Sequence, residues 1–176
     1  MSDQGTGLRS RAAQGDPEAL AELHAESRHD YLVSRAVRWL RGTQRCGVVL
    51  AEVVADGFEQ PDAIGFKNGG RHSVLVECKT SRGDFFRGLK KPHRAHPSLG
   101  MGQERYYLTP KGLLAPDEIP ERWGLIEDHG SNRIKVVVRL PRLARYDLET
   151  MRRERGLLYA AARKAELGIP LDRWHS

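Results

Sequence analysis

The sequence predicts an α/β domain in which a mixed β-sheet is flanked by helices. Three observations carry this. Runs rich in Val, Ile and Leu alternate with stretches whose apolar residues recur at helical spacing. An Asn-Gly-Gly core joins two of the β-rich runs as a hairpin turn would. The second of those two runs passes directly into a helix and, beyond a loop, into another strand. With 176 residues there is material for one core but hardly for two.

In chain order, residues 1–14 show no hydrophobic period and read as a flexible leader to a domain over 15–140. Asp16-Pro17-Glu18 is a helix start, with Asp16 as N-cap and Pro17 at the first helical position, and the helix should run to about residue 25. Ser27 and Asp30 form a second start, so another helix is expected over 28–41, closed by Gly42. From Cys46 onward Val48, Val49, Leu50, Val53 and Val54 give a first strand, interrupted by Glu52. Two more strands, 62–66 and 73–79, flank the turn at Asn68-Gly69-Gly70. Ser81 and Asp84 then open a helix over 82–91, ended by Pro92. Residues 93–103 read as a loop, followed by strands at 105–109, 123–127 and 133–140. A C-terminal extension, 141–176, should carry a helix over 147–167 packed on or beside the domain.

Composition narrows the function. The net charge is +6 and the pI near 9.6, which favours an anionic partner such as nucleic acid. The longest apolar run, 47–55, is broken by Glu52 and falls far short of the roughly 20 residues of a membrane span. Residues 1–14 contain no apolar core of a secretory signal, so a cytoplasmic protein without membrane contact is expected. Cys46 and Cys78 are too few for a disulfide framework and lack zinc spacing.

The chemistry concentrates at Pro61-Asp62 and Glu77-Cys78-Lys79. Alternation along a strand puts Glu77 and Lys79 on one face and Cys78 on the other. A turn centred on Gly69-Gly70 sets Asp62 opposite Glu77; one centred on Asn68-Gly69 sets it one diagonal step away. Either register leaves both carboxylates on the same face. Adjacent carboxylates repel, and a divalent cation resolves the conflict. Mg²⁺ commonly uses one or two carboxylates together with substrate phosphate, so Mg²⁺ or Mn²⁺ is the expected cofactor and Asp62 and Glu77 its ligands. Lys79 would orient or deprotonate the attacking water, giving metal-assisted phosphodiester hydrolysis.

These residues resemble the PD-(D/E)XK nuclease superfamily, whose core order α-β-β-β-α-β is similar to the order read above. The stretch Val76-Glu77-Cys78-Lys79-Thr80-Ser81-Arg82-Gly83-Asp84-Phe85 resembles the signature of a branch that includes MmcB-like DNA-repair proteins and small phage or prophage proteins. The segments 101–110 and 120–126 are also similar to that branch, so the likeness spans about residues 27–127. It implies a restriction-endonuclease-like sheet and a Mg²⁺-dependent DNA endonuclease of repair, recombination or phage DNA metabolism. It also implies a ligand set of Asp62, Glu77 and the backbone carbonyl of Cys78, with a further acid from the first helix, Asp30 or Glu26. A homodimer is compatible with it. Glu52 is either another ligand or half of a strand-end ion pair, and Asp84 a helix-cap residue before a ligand.

Residues 81–96 hold five basic side chains, Arg82, Arg87, Lys90, Lys91 and Arg94, against one acid, a net of +4 suited to DNA phosphates. One of Tyr106 and Tyr107 should be core and the other could face the substrate, while Trp39, Trp123 and Trp174 read as packing residues. His93 and His96 lie in the loop without ligand spacing. All three active residues being present disfavours the rival from another class, a non-catalytic DNA-binding accessory protein that keeps the fold. RNA cleavage is a weaker third reading, because such a metal site does not itself distinguish sugars.

Overall fold

The computed structural model describes residues 4–53, 59–90, 100–131, 133–140 and 148–170. Its first element corrects an expectation: α1 occupies Gln4–Ala13, within the stretch read as a flexible leader. A hydrophobic period is not required here. Ala12 is buried, and Arg11 holds Asp16 across the following turn at 2.6 Å.

A single helix, α2, then spans Pro17–Gly42, replacing the two helices expected over 16–25 and 28–41. Asp16 caps it as expected, accepting from the Glu18 and Ala19 amides at 3.0 and 3.2 Å. Ser27 and Asp30 sit mid-helix and cap nothing. No Gly or Pro separates them from the preceding turn, and Ser in a helix interior costs only a fraction of a kcal/mol, roughly 0.5. Leu32, Val33, Ala36, Val37 and Leu40 form its buried stripe.

Six strands follow: β1 (Val48–Ala51), β2 (Ala63–Lys67), β3 (His72–Cys78), β4 (Glu104–Pro110), β5 (Gly124–Asp128) and β6 (Ile134–Val138). Helix α3 (Arg82–Leu89) lies between β3 and β4, and α4 (Leu148–Glu166) follows β6. The sheet runs β1-β2-β3-β4-β5-β6. Its first two pairings are antiparallel, β3/β4 and β4/β5 are parallel, and β5/β6 is antiparallel. The expected α/β class, a mixed sheet with flanking helices, is the observed one.

The hairpin register is the first of the two alternatives. Ala63 pairs with Val76 and Lys67 with His72, and Asn68, Gly69 and Gly70 all take positive φ (56°, 66° and 81°) in the turn. The first strand is shorter than expected, ending at Ala51 because Glu52 turns into the left-handed region at φ 53°.

Each sheet face has its own core. Val74, Val76, Cys78, Tyr106 and Leu108 pack with α2. Ile64, Leu75, Tyr107 and Leu125 pack with Phe85 of α3 and Leu157 and Ala161 of α4. Tyr106 and Tyr107 are therefore both core, against the expectation that one could face a substrate; Trp39 meets the first edge-on and Trp123 stacks on the second. Two buried polar contacts tie helices to the sheet. Arg35 of α2 meets Asp128 of β5 at 2.9 Å, and Glu154 of α4 accepts from Ser73 Oγ and the Gly102 amide at 2.7 and 2.9 Å. Among the described residues no helix is long and apolar enough to cross a membrane.

Candidate functional site

The sheet topology gathers the predicted residues at one end. Glu77 and Lys79 stand at the carboxyl end of β3; β2, antiparallel to β3, begins just after Asp62; and β1 ends just before Glu52. In open α/β sheets this carboxyl end of the parallel strands is where ligands bind.

The observed register continues from the Ala63–Val76 pair to bring Asp62 beside Glu77. Asp62 Oδ2 accepts the Cys78 amide at 2.7 Å, and its Oδ1 lies 3.6 Å from His29 Nε2. Glu77 and Lys79 are both buried, with Lys79 Nζ 3.6 Å from Glu77 Oε2 and 3.7 Å from Asp84 Oδ2. Helix α3 closes over this lysine: a Cβ at Gly88 would stand 3.4 Å from Lys79 Cε. Ser81 caps α3 by accepting the Asp84 amide at 3.2 Å, which leaves the Asp84 carboxylate to face Lys79.

Electrostatics single out Asp62. Burial, and next the negative charge of Glu77, push its carboxyl up to about 7, against the opposing pull of His29, the Cys78 amide and Lys79. The His29 imidazole is raised chiefly by its contact with Glu52 and also by Asp62, the burial of the ring opposing. Burial likewise pushes the Cys78 thiol well up, as suits an inert core cysteine rather than a nucleophile.

An open cleft of about 500 Å³ is lined on the α2 side by Glu26, Arg28, His29 and Asp30 and on the α3 side by Ser81, Asp84 and Arg87, among others; Asp62, Glu77 and Lys79 do not line it themselves, and His29 and Asp84 are the lining residues that touch them. Both first-helix candidates thus reach the same cleft. Glu52 is half-buried, with Oε1 3.5 Å from His29 Nε2, an ion pair when the ring is protonated.

Of the basic residues after β3, Arg87 and Lys90 are exposed, whereas Arg82 is engaged by Glu118 and stacks over Phe86. Lys91, Arg94, His93, His96 and Trp174 lie outside the described residues. The residue that sequence reasoning missed is His29. It sits on a polar stretch of helix, and only the fold brings it to Glu52 and Asp62.

No family model matches the chain, and no curated protein does. Among solved structures it is similar to SPO1766, a protein of unknown function from Silicibacter pomeroyi. The two share 21% identity with a TM-score of 0.56, over 77% of this chain and 86% of that one. At that identity the likeness speaks for the fold alone.

The donor set bears on a cation. Among the described residues no group of three or more His, Cys, Asp or Glu side chains is arranged to hold a metal ion. A closed structural site of the zinc kind is not what these residues offer. Asp62, half-buried, and Glu77, buried, supply two carboxylates whose charges oppose one another, the donor number that Mg²⁺ takes when water and substrate phosphate complete its shell.

Proposed function

We propose that this chain is a divalent-metal-dependent nuclease of the PD-(D/E)XK type acting on DNA phosphodiester bonds. The observation that carries the reading is the meeting of Asp62, Glu77 and Lys79 at the carboxyl end of β3, with the Asp62 carboxyl raised by burial and by Glu77, and with a cleft lined by their contacts His29 and Asp84.

Asp62 and Glu77 would hold Mg²⁺ or Mn²⁺, which when bound polarises the phosphodiester and stabilises charge developing on its oxygens. Asp62 is kept in place by the Cys78 amide. Lys79, held between Glu77 and Asp84, orients the attacking water and offsets negative charge at the phosphate. Burial of Lys79 against α3 restricts its rotamers, so the ammonium is delivered to one place. Arg87 and Lys90, on and just after α3, hold the backbone of the nucleic acid.

The test is incubation of the purified chain with plasmid, linear, single-stranded and branched DNA, and with RNA, in Mg²⁺, Mn²⁺ or EDTA. Metal-dependent cleavage of DNA that disappears in Lys79→Ala supports the reading. The second reading is a DNA-binding accessory protein that keeps the fold without cleavage. Binding without strand scission in either metal would select it.

A further inference from the structure

Glu52, His29 and Asp62 come from three parts of the chain and meet at the edge of the candidate site. Glu52 leaves β1 in a left-handed backbone conformation, φ 53°, that residues other than glycine seldom adopt. Its amide donates to the Asp62 carbonyl at 3.1 Å, which fixes one backbone against the other. From that position the Glu52 carboxylate reaches His29 of α2 at 3.5 Å, and the same imidazole nitrogen stands 3.6 Å from Asp62 Oδ1. These separations are longer than direct hydrogen bonds and are ion pairs when the ring is protonated. The other Asp62 oxygen is taken by the Cys78 amide. Asp62 is thus held from two sides, by β3 backbone at one oxygen and by a helix-borne ring at the other.

We propose that His29 is a positioning residue: oriented by Glu52, its imidazole fixes the Asp62 carboxylate beside Glu77 in the arrangement that receives the divalent cation. The inference rests on the metal-site reading above and adds to it a residue from α2 and a role for Glu52. Without the ring, Asp62 keeps one tether and can rotate about its Cα–Cβ bond, so its ligand geometry is no longer set before the ion arrives. Residues that orient metal ligands from behind, when removed, typically weaken metal affinity about 10- to 100-fold. Placement on a half-buried helix turn gives His29 little share in the core, so the effect should appear in ion binding rather than in folding.

The experiment is calorimetric titration of the full chain with Mn²⁺ alone, in wild type, His29→Ala, His29→Gln, Glu52→Gln and Asp62→Asn, each checked by circular dichroism and thermal melting. Expected are a drop of about 10- to 100-fold in His29→Ala, substantial recovery in His29→Gln, which restores a side-chain donor, a smaller drop in Glu52→Gln, and the largest in Asp62→Asn. Should His29→Ala fail to fold, the Gln and Glu52 variants carry the comparison: a folded Glu52→Gln that binds Mn²⁺ as wild type does overturns the proposal. So does a folded His29→Ala with wild-type affinity, while Asp62-dependent binding would leave the metal site itself standing. Wild type that binds no Mn²⁺ overturns both.

Discussion

The amide of Cys78 donates to Asp62 Oδ2 across 2.7 Å, so a residue whose side chain belongs to the core serves the site through its backbone. Alternation along β3 makes this possible. Cys78 sends its thiol towards α2, and the flanking Glu77 and Lys79 emerge on the opposite face.

On the proposed function, Lys79→Ala should lower cleavage turnover by about 10²-fold or more while DNA affinity stays within about twofold, because the lysine would act on the reacting water and the proposed phosphate-binding cations, Arg87 and Lys90, lie elsewhere. Single-turnover cleavage and anisotropy binding measured on the same protein separate the two effects. Wild-type turnover in a folded Lys79→Ala protein would remove its catalytic role.

In EDTA, the contribution of Asp62 to thermal stability should fall as pH rises from 3.8 to about 7. Folded Asp62 keeps its proton up to about 7, whereas the unfolded chain releases it near 3.8, so over that window the unfolded state binds fewer protons. His29, raised in the fold, stabilises below its ordinary value and withdraws that contribution as pH increases, with the same sign. Melting curves across this range should flatten in Asp62→Asn, and Mn²⁺ should restore stability at the upper end. An equally steep fall in Asp62→Asn would contradict the assignment.

Salt titrations of duplex binding should distinguish the basic residues of α3 and its end. Replacing Arg87 and Lys90 together by Ala should make the slope of log affinity against log salt shallower by roughly 0.9 for each phosphate that the variant no longer neutralises. Arg82→Ala should change it less, since Glu118 already occupies that guanidinium. A larger effect at Arg82 would mean that nucleic acid displaces Glu118.

Arg35→Ala should destabilise the fold by about 3–5 kcal/mol, because it takes away the opposite charge that meets the buried Asp128 carboxylate and leaves it the Gly130 amide at 3.2 Å. Urea denaturation provides the measurement, and a change below about 1 kcal/mol would show that Asp128 finds another partner or water.

Much of this architecture is legible in the sequence. Strand positions follow from β-branched runs, the hairpin from Asn68-Gly69-Gly70, and α3 from Ser81 and Asp84; each signal is local and chemically specific. The misleading signals are local too: Ser27 and Asp30 imitate a helix start, but an N-cap exists only where the preceding backbone leaves the helix. Residues 4–13 fold as a helix with no stripe to announce them. In the site, parity alone puts Asp62, Glu77 and Lys79 on one face. His29 could not be found that way, since its partners Glu52 and Asp62 lie in distant parts of the chain and no period links them to it.

Strand β3 carries a buried acid contact at each end: Ser73, near its start, is clasped by Glu154 from α4, and Glu77 closes it at the candidate site. At about 3.3 Å per residue the two positions are roughly 13 Å apart. Anchorage and chemistry therefore occupy different ends of one rod, and a change at one end need not be transmitted to the other. On the proposed function, a protein changed at Glu77 or Lys79 should for that reason keep its fold and hold a nucleic acid uncut, which makes it the natural trap for seeing the ligand in place.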